Sequence, residues 1–239
     1  MTPWVLLHGW GFHSAIWKDL VESLRAPRDV RLVDLPGHGC AANRMLASLD
    51  ALVDEVAGST PRGSFVIGWS LGGLVAQRLA NRHPDRVRAL ALIATTPCFV
   101  ERDDWQYGVS AATLETFAAD LRRDPDGTLG RFVNLNAMGR DSARAASRRL
   151  GERPTASSAA RDEGLELLRA TDLRGESPAL AMPSLVIHGS RDRIVPVEAG
   201  RWLARTLPAA RLVELPHSAH LPFISDRDAV RDALEAFDA

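Results

Sequence analysis

Lysine is almost missing from this 239-residue chain: Lys18 is the only one, so 28 of the 29 basic residues are arginine. Codon bias is the plain account of that skew, and an arginine docking surface is the sharper one. Cysteine is nearly as scarce. Cys40 and Cys98 alone fit a reducing compartment, although two residues leave room for one bridge, and a chain of this length buries enough apolar surface to need no disulfide staple. Net charge is also small, 29 basic against 30 acidic residues for a total of −1. That supplies no global basic field for a nucleic acid backbone, so no nucleic acid partner is expected. The segment Met1–His8 has no basic region and only a short apolar run, so neither a signal peptide nor a membrane span is expected, and the cytoplasm is the default compartment. What remains, 46% hydrophobic and 25% charged residues, is the balance of an ordinary globular protein.

Short apolar runs alternate with longer segments of helical spacing. Strands are expected at Trp4–Leu7, Val30–Asp34, Ser64–Gly68, Ala89–Ala94, Ser184–His188 and Arg211–Glu214, and helices at Ser14–Leu24, Leu46–Ala57, Leu71–Arg82 and Glu198–Thr206. The strands are β-branched or leucine-rich without clean alternation, as in strands covered on both faces. An α/β fold with a doubly wound, mostly parallel sheet follows. From about Glu101 to Gly175 the strand-like runs disappear, and the pattern becomes helical. The expected division is therefore a first core part at 1–100, a helical cap insertion at 101–176 and a second core part at 177–239, with a loop at Thr155–Ala160.

The chemistry centres on Gly68-Trp69-Ser70-Leu71-Gly72, which lies between a strand and a helix as a G-x-S-x-G elbow requires. A sharp turn there strains the serine backbone, so positions two before and two after must lack side chains. It lifts the Ser70 hydroxyl above the sheet and sets the Leu71 N–H at a helix N-terminus, ready for an oxyanion. A serine needs a base, and the base needs a carboxylate to hold its tautomer. Asp192 follows the strand Ser184–His188, and His217 and His220 follow the strand Arg211–Glu214. Of the two histidines, His220 is preferred because it lies further from the strand and precedes the apolar run Leu221-Pro222-Phe223. Asp34 is the rival acid, but it precedes Ser70, and its loop through Gly39 reads as a tight structural turn. The second oxyanion donor is assigned to the Trp10 N–H in His8-Gly9-Trp10-Gly11, with the indole either lining the pocket or plugging the loop. His13, His38, His83 and His188 read as structural, without the spacing of metal ligands, so neither metal nor cofactor is expected.

Taken together, His8-Gly9-Trp10-Gly11, Asp34-x-x-Gly37-x-Gly39, the elbow, Asp192 and His220 resemble the α/β-hydrolase family over the whole chain. Leu32–Gly37, Thr96-Pro97-Cys98-Phe99 and Arg131–Gly139 make it similar, within that family, to the pimeloyl-(acyl-carrier protein) methyl ester carboxylesterases (BioH type) of biotin synthesis. The resemblance implies a monomeric serine esterase that frees the ω-carboxylate of a methyl pimeloyl group borne by an acyl-carrier protein. Ser70 would be the nucleophile, His220 the base, Asp192 its orienter, and Trp10 and Leu71 the oxyanion donors. It also implies substrate contacts from Phe132, Val133, Asn134, Leu135 and Asn136 in the insertion. A broad short-chain esterase, a C–C hydrolase or a lyase on the same triad, and a non-catalytic binding protein on this fold stay open as alternatives.

The arginines now have a place. Between Arg131 and Arg153 six arginines face two acids, a local balance of +4. Arg140, Arg144 and Arg148, spaced i, i+4, i+8, share one helix face. With Arg131 they form either a solvated face or a docking surface for an acidic carrier protein.

Overall fold

The computed structural model describes residues 2–44, 48–137, 139–150 and 156–238. Six strands form one sheet: β1 (Trp4–Leu7), β2 (Val30–Val33), β3 (Ser64–Trp69), β4 (Val87–Ile93), β5 (Ser184–Gly189) and β6 (Ala210–Leu215). Their order is β2-β1-β3-β4-β5-β6, and each neighbouring pair among the described residues is parallel. These are the strands expected from the sequence, within two residues at either end. The chain steps from β1 outward to β2, then returns past β1 to β3, so a crevice opens where the order reverses, at the C-terminal ends of the strands.

Side chains explain why the strands lack a two-residue pattern. Trp4, Leu6, Phe65, Ile67, Ala91, Ile93 and Ile187 pack into one buried cluster. Their alternate neighbours Val5, Leu7, Val66, Leu90, Leu92 and Val186 pack into another on the opposite face. Both faces are covered, so both sets must be apolar.

The helices are α1 (Lys18–Glu22), α2 (Leu49–Ser59), α3 (Leu71–Arg82), α4 (Ala111–Arg123), α5 (Pro125–Asn136), α6 (Gly139–Leu150), α7 (Ser158–Ala170), α8 (Val197–Thr206), α9 (Pro222–Ser225) and α10 (Arg227–Phe237). The helix expected from Leu46 begins at Leu49, because the Ser48 hydroxyl caps it by accepting the Ala51 N–H; Leu46 itself lies outside the described residues. Between β4 and β5 come α4 to α7 in succession. Their base is closed by the Leu173 N–H, which donates to the Pro97 carbonyl at 2.8 Å. The loop expected at Thr155–Ala160 is shorter than the small residues suggested: α7 starts at Ser158, because the Ser157 side chain accepts the Ala160 N–H. Thr155 lies outside the described residues. No helix was expected after β6, yet α10 packs Val230 and Leu234 against the sheet and is tied to β1 by the Trp4 indole N–H on Asp238 (2.8 Å).

Candidate active site

Ser70 stands between β3 and α3 with φ +54° and ψ −118°, a left-handed conformation costly for any residue with a side chain. The neighbours that permit it are glycines. A Cβ on Gly68 would lie 2.3 Å from the Gly72 carbonyl oxygen, and one on Gly72 would lie 2.3 Å from the Leu7 carbonyl oxygen of β1. The turn is pinned from β4 as well: the Ser70 N–H donates to Ile93 O (3.0 Å) and the Thr95 hydroxyl donates to Ser70 O (2.7 Å). Leu71 opens α3, so its N–H has no acceptor within the helix. The loop after β1 carries Trp10.

The acid and the base meet across the ends of β5 and β6. His220 Nδ1 lies 2.7 Å from Asp192 Oδ2, and both side chains are buried. A carboxylate at Nδ1 places the proton there and leaves Nε2 as the basic nitrogen. Asp192 Oδ1 accepts the backbone N–H groups of Ile194 (2.8 Å) and Val195 (2.9 Å). Burial alone would push the Asp192 carboxyl up, but the His220 charge and the hydrogen bonds from His188 and His220 hold it well below the usual carboxylate range. His220 is seated by Trp69, whose indole N–H donates to the His220 carbonyl at 2.8 Å.

The rivals lie elsewhere. His217 is exposed, with Nδ1 3.3 Å from an Arg191 guanidinium nitrogen. Asp34 accepts the backbone N–H groups of Ser14 (2.7 Å) and Cys40 (2.8 Å). Burial works against its charge, yet those hydrogen bonds keep it well below the usual range, as a carboxylate that closes a turn. Sequence reasoning missed the supports contributed by Thr95, Trp69 and His188, because none of them shares a motif with the residue it holds.

Beside Ser70 lies a cavity of about 220 Å³, bounded by Trp10, Phe99, Leu114, Phe117, Phe132, Leu135, Leu165, Leu168 and Ile194, with Arg131 and Arg193 among its few polar walls. Trp10 both lines it and ties it together. Its indole N–H donates to the Arg161 carbonyl of α7 (2.9 Å), and its ring meets Phe117 and Phe132 edge-on at 5.5 and 5.2 Å.

Of the five residues expected to touch substrate from α5, Phe132 and Leu135 reach the cavity. Val133, Asn134 and Asn136 do not line it: Val133 packs into the core below, Asn134 is exposed, and Asn136 is buried with its amide N–H on Phe132 O (2.6 Å). A helix turns about 100° per residue, so consecutive positions cannot all face one cavity; Thr128, Arg131, Phe132 and Leu135, spaced three and four apart, do.

The basic face is partly described. Arg131 pairs with Asp124 at 3.5 Å, Arg144 with Asp141 at 3.6 Å and Arg148 with Asp19 at 3.5 Å, and each of the three side chains is more than 60% exposed. The Arg140 side chain and Arg153 lie outside the described residues. Among the described residues no cluster of His, Cys, Asp or Glu is arranged to hold a metal ion, and no helix is long and apolar enough to cross a membrane.

Beneath the site, His8 is held neutral. Its Nδ1–H donates to Gly9 O (2.8 Å) while Nε2 accepts the Leu35 N–H (2.9 Å), and burial next to His38 lowers its pKa from 6.5 to about 3. His38 is lowered too, by burial. A base depressed on folding stabilises the protein fully above its unfolded pKa and loses that contribution as pH falls towards its folded one. His8 alone therefore costs about 1.4 kcal/mol per pH unit below roughly pH 6.5. Urea melts at pH 7.5, 6 and 5 should show the midpoint falling steadily, and a midpoint unmoved between pH 7.5 and 5 would refute this.

A family model described as alpha/beta hydrolase fold matches residues 2–226. The chain is 44% identical over 227 residues to the pimeloyl-(acyl-carrier protein) methyl ester esterase of Nitrosomonas europaea, covering 92% of this chain and 89% of that protein. Among solved structures, an esterase from Exiguobacterium antarcticum superposes with a TM-score of 0.91 at 21% identity, covering 99% of this chain and 91% of that one. The enol-lactonase from Burkholderia xenovorans LB400 superposes with a TM-score of 0.84 at 28% identity, covering 99% and 91%.

Proposed function

The chain belongs to the α/β-hydrolase family, and from that premise we propose that it is a serine carboxylesterase that hydrolyses the methyl ester of a pimeloyl group carried by an acyl-carrier protein. The observation that carries the reading is an apolar cavity opening directly onto Ser70, beside the buried Asp192–His220 pair. A methyl ester masks the terminal carboxylate of such a chain, so this end enters an apolar cavity without stranding a charge. The relatives named for this reaction support the substrate class.

Ser70 Oγ attacks the ester carbonyl and passes its proton to His220 Nε2. Asp192 stabilises the imidazolium that forms. The oxyanion is received by the N–H groups of Trp10 and Leu71. Collapse expels methanol, which takes the proton from His220, and leaves the acyl group on Ser70. Water then attacks, giving its proton to His220, and the second collapse releases the free carboxylate and restores the Ser70 hydroxyl.

The carrier protein would dock at the cavity mouth, where Leu135 is 46% exposed beside Arg131 and the Arg144 and Arg148 face of α6 follows. The enzyme would act as a cytoplasmic monomer; Cys40 and Cys98 are both free thiols, in keeping with a reducing compartment. The test compares a carrier-bound methyl pimeloyl ester with free methyl esters. With Arg144 and Arg148 both changed to Glu, kcat/KM on the carrier-bound ester should fall by about tenfold or more through lost steering, with free esters nearly unchanged. Equal loss on both would remove the docking face from the proposal. A wild-type enzyme with no preference for the carrier-bound ester would favour a broad short-chain esterase instead.

A further inference from the structure

His188, the last residue but one of β5, has a fully buried side chain, and it does not belong to the Ser70–His220–Asp192 set. Its Nε2 lies 3.0 Å from the Val195 carbonyl oxygen and 3.3 Å from Asp192 Oδ2. Both neighbours are acceptors, so Nε2 carries the proton, donating it to Val195 O and holding it against Asp192 Oδ2. The opposite ring nitrogen, Nδ1, is buried with no hydrogen-bond partner among the described residues. It abuts α8 at Gly200, where a Cβ would come within 2.5 Å of Nδ1. A buried acceptor without a partner is a cost that a leucine or methionine of similar size would avoid. The only return for that cost lies at Nε2.

We infer that His188 is a positioning residue for Asp192: its Nε2–H restrains the same carboxylate oxygen that His220 uses, fixes the Gly189–Pro196 turn around it, and tempers the pull of Asp192 on the His220 imidazolium. The inference rests on the triad reading above. The geometry leaves Asp192 little else to lean on, since Oδ1 is already committed to the Ile194 and Val195 N–H groups. Val195 closes the arrangement, donating its N–H to Asp192 and accepting from His188 through its carbonyl. The other charged groups near the ring are accounted for. Glu214 of β6 stands opposite His188 in the strand register, and its carboxylate is engaged by the Ser190 hydroxyl and by Arg201 of α8. His220, which meets the same Asp192 oxygen, is seated against Trp69.

Two substitutions separate this role from simple core filling. His188→Leu removes the donor, whereas His188→Gln keeps an N–H close to the position of Nε2. Without the donor, Asp192 holds the His220 imidazolium more tightly. The acid limb of kcat/KM for a free methyl ester should then move up by about one pH unit, the scale of one hydrogen bond to a charged group. The carboxylate also loses a restraint, so kcat should fall roughly tenfold with KM unchanged. His188→Gln should restore most of both. Should His188→Leu not fold, His188→Met supplies the same donor-free comparison with a more adaptable side chain. An acid limb identical to that of the unsubstituted protein in a folded donor-free variant would overturn the inference. Ser70→Ala in the same series keeps the two failures apart: full activity there overturns the triad itself, whereas an inactive Ser70→Ala beside an unshifted limb overturns only the role of His188.

Discussion

Ser70→Ala should lower kcat for ester hydrolysis by about 10⁴–10⁶-fold, the range seen when a triad loses its nucleophile. The protein should stay folded with nearly the same melting temperature. The backbone at residue 70 keeps its positive φ whichever of the two small side chains it carries, and among the described residues the hydroxyl supports no other element: it is the Ser70 N–H and carbonyl that bond to Ile93 and Thr95. Loss of rate without loss of structure is therefore the expected signature, read from single-turnover hydrolysis beside a thermal melt. A small residual rate above the uncatalysed one should persist, because the Trp10 and Leu71 N–H groups and the cavity are untouched. Unchanged turnover would mean that another group attacks the ester.

Gly72→Ala should act in the opposite way, on the fold before the chemistry. The added methyl would sit 2.3 Å from Leu7 O and 2.7 Å from His8 O. Both are backbone atoms, of β1 and of the loop that follows it, so neither yields as the end of a flexible side chain would. Overpacking of this kind typically costs 1–3 kcal/mol and occasionally more, and with main chain on the receiving side about 3–5 kcal/mol is expected. Chemical denaturation of the purified variant should give a correspondingly lower midpoint or no soluble protein. A stability within 0.5 kcal/mol of the parent, the scale of a neutral surface change, would contradict the packing described for the elbow.

The two substitutions also mark which parts of the site were legible in the sequence. The elbow is a local device: strain at one residue dictates glycine at fixed offsets, so Gly68, Ser70 and Gly72 are readable without a structure. Asp192 and His220 were readable because they follow strands whose C-terminal ends must share one edge of a parallel sheet. Choosing His220 over His217 depended on a weaker signal, distance from the strand; the structure sets His220, and not the exposed His217, beside Asp192. The helices between β4 and β5 were less legible. A run of five consecutive residues was expected to touch substrate, but helical rotation sends Val133 and Asn136 into the interior and Asn134 to solvent. Ser157 was hidden within a stretch of small residues that reads as loop until its capping hydrogen bond is seen. His188 was the least legible of all. Its partner lies four residues away across a turn, a spacing that marks a pair on a helix but carries no such meaning at the end of a strand.

The strand order has a consequence for the chain as it is made. The proposed nucleophile lies in the first third of the sequence, whereas its proposed base follows β6, the last strand described in the sheet, beside β5. A ribosome releases these elements in sequence, so the growing polypeptide displays a complete elbow long before it owns a proton acceptor. On the proposed triad, a nascent fragment that stops short of residue 220 lacks the base for ester cleavage, and the onset of hydrolysis during synthesis should coincide with docking of β6. Enzymatic activity would then be a timer for the completion of its own sheet.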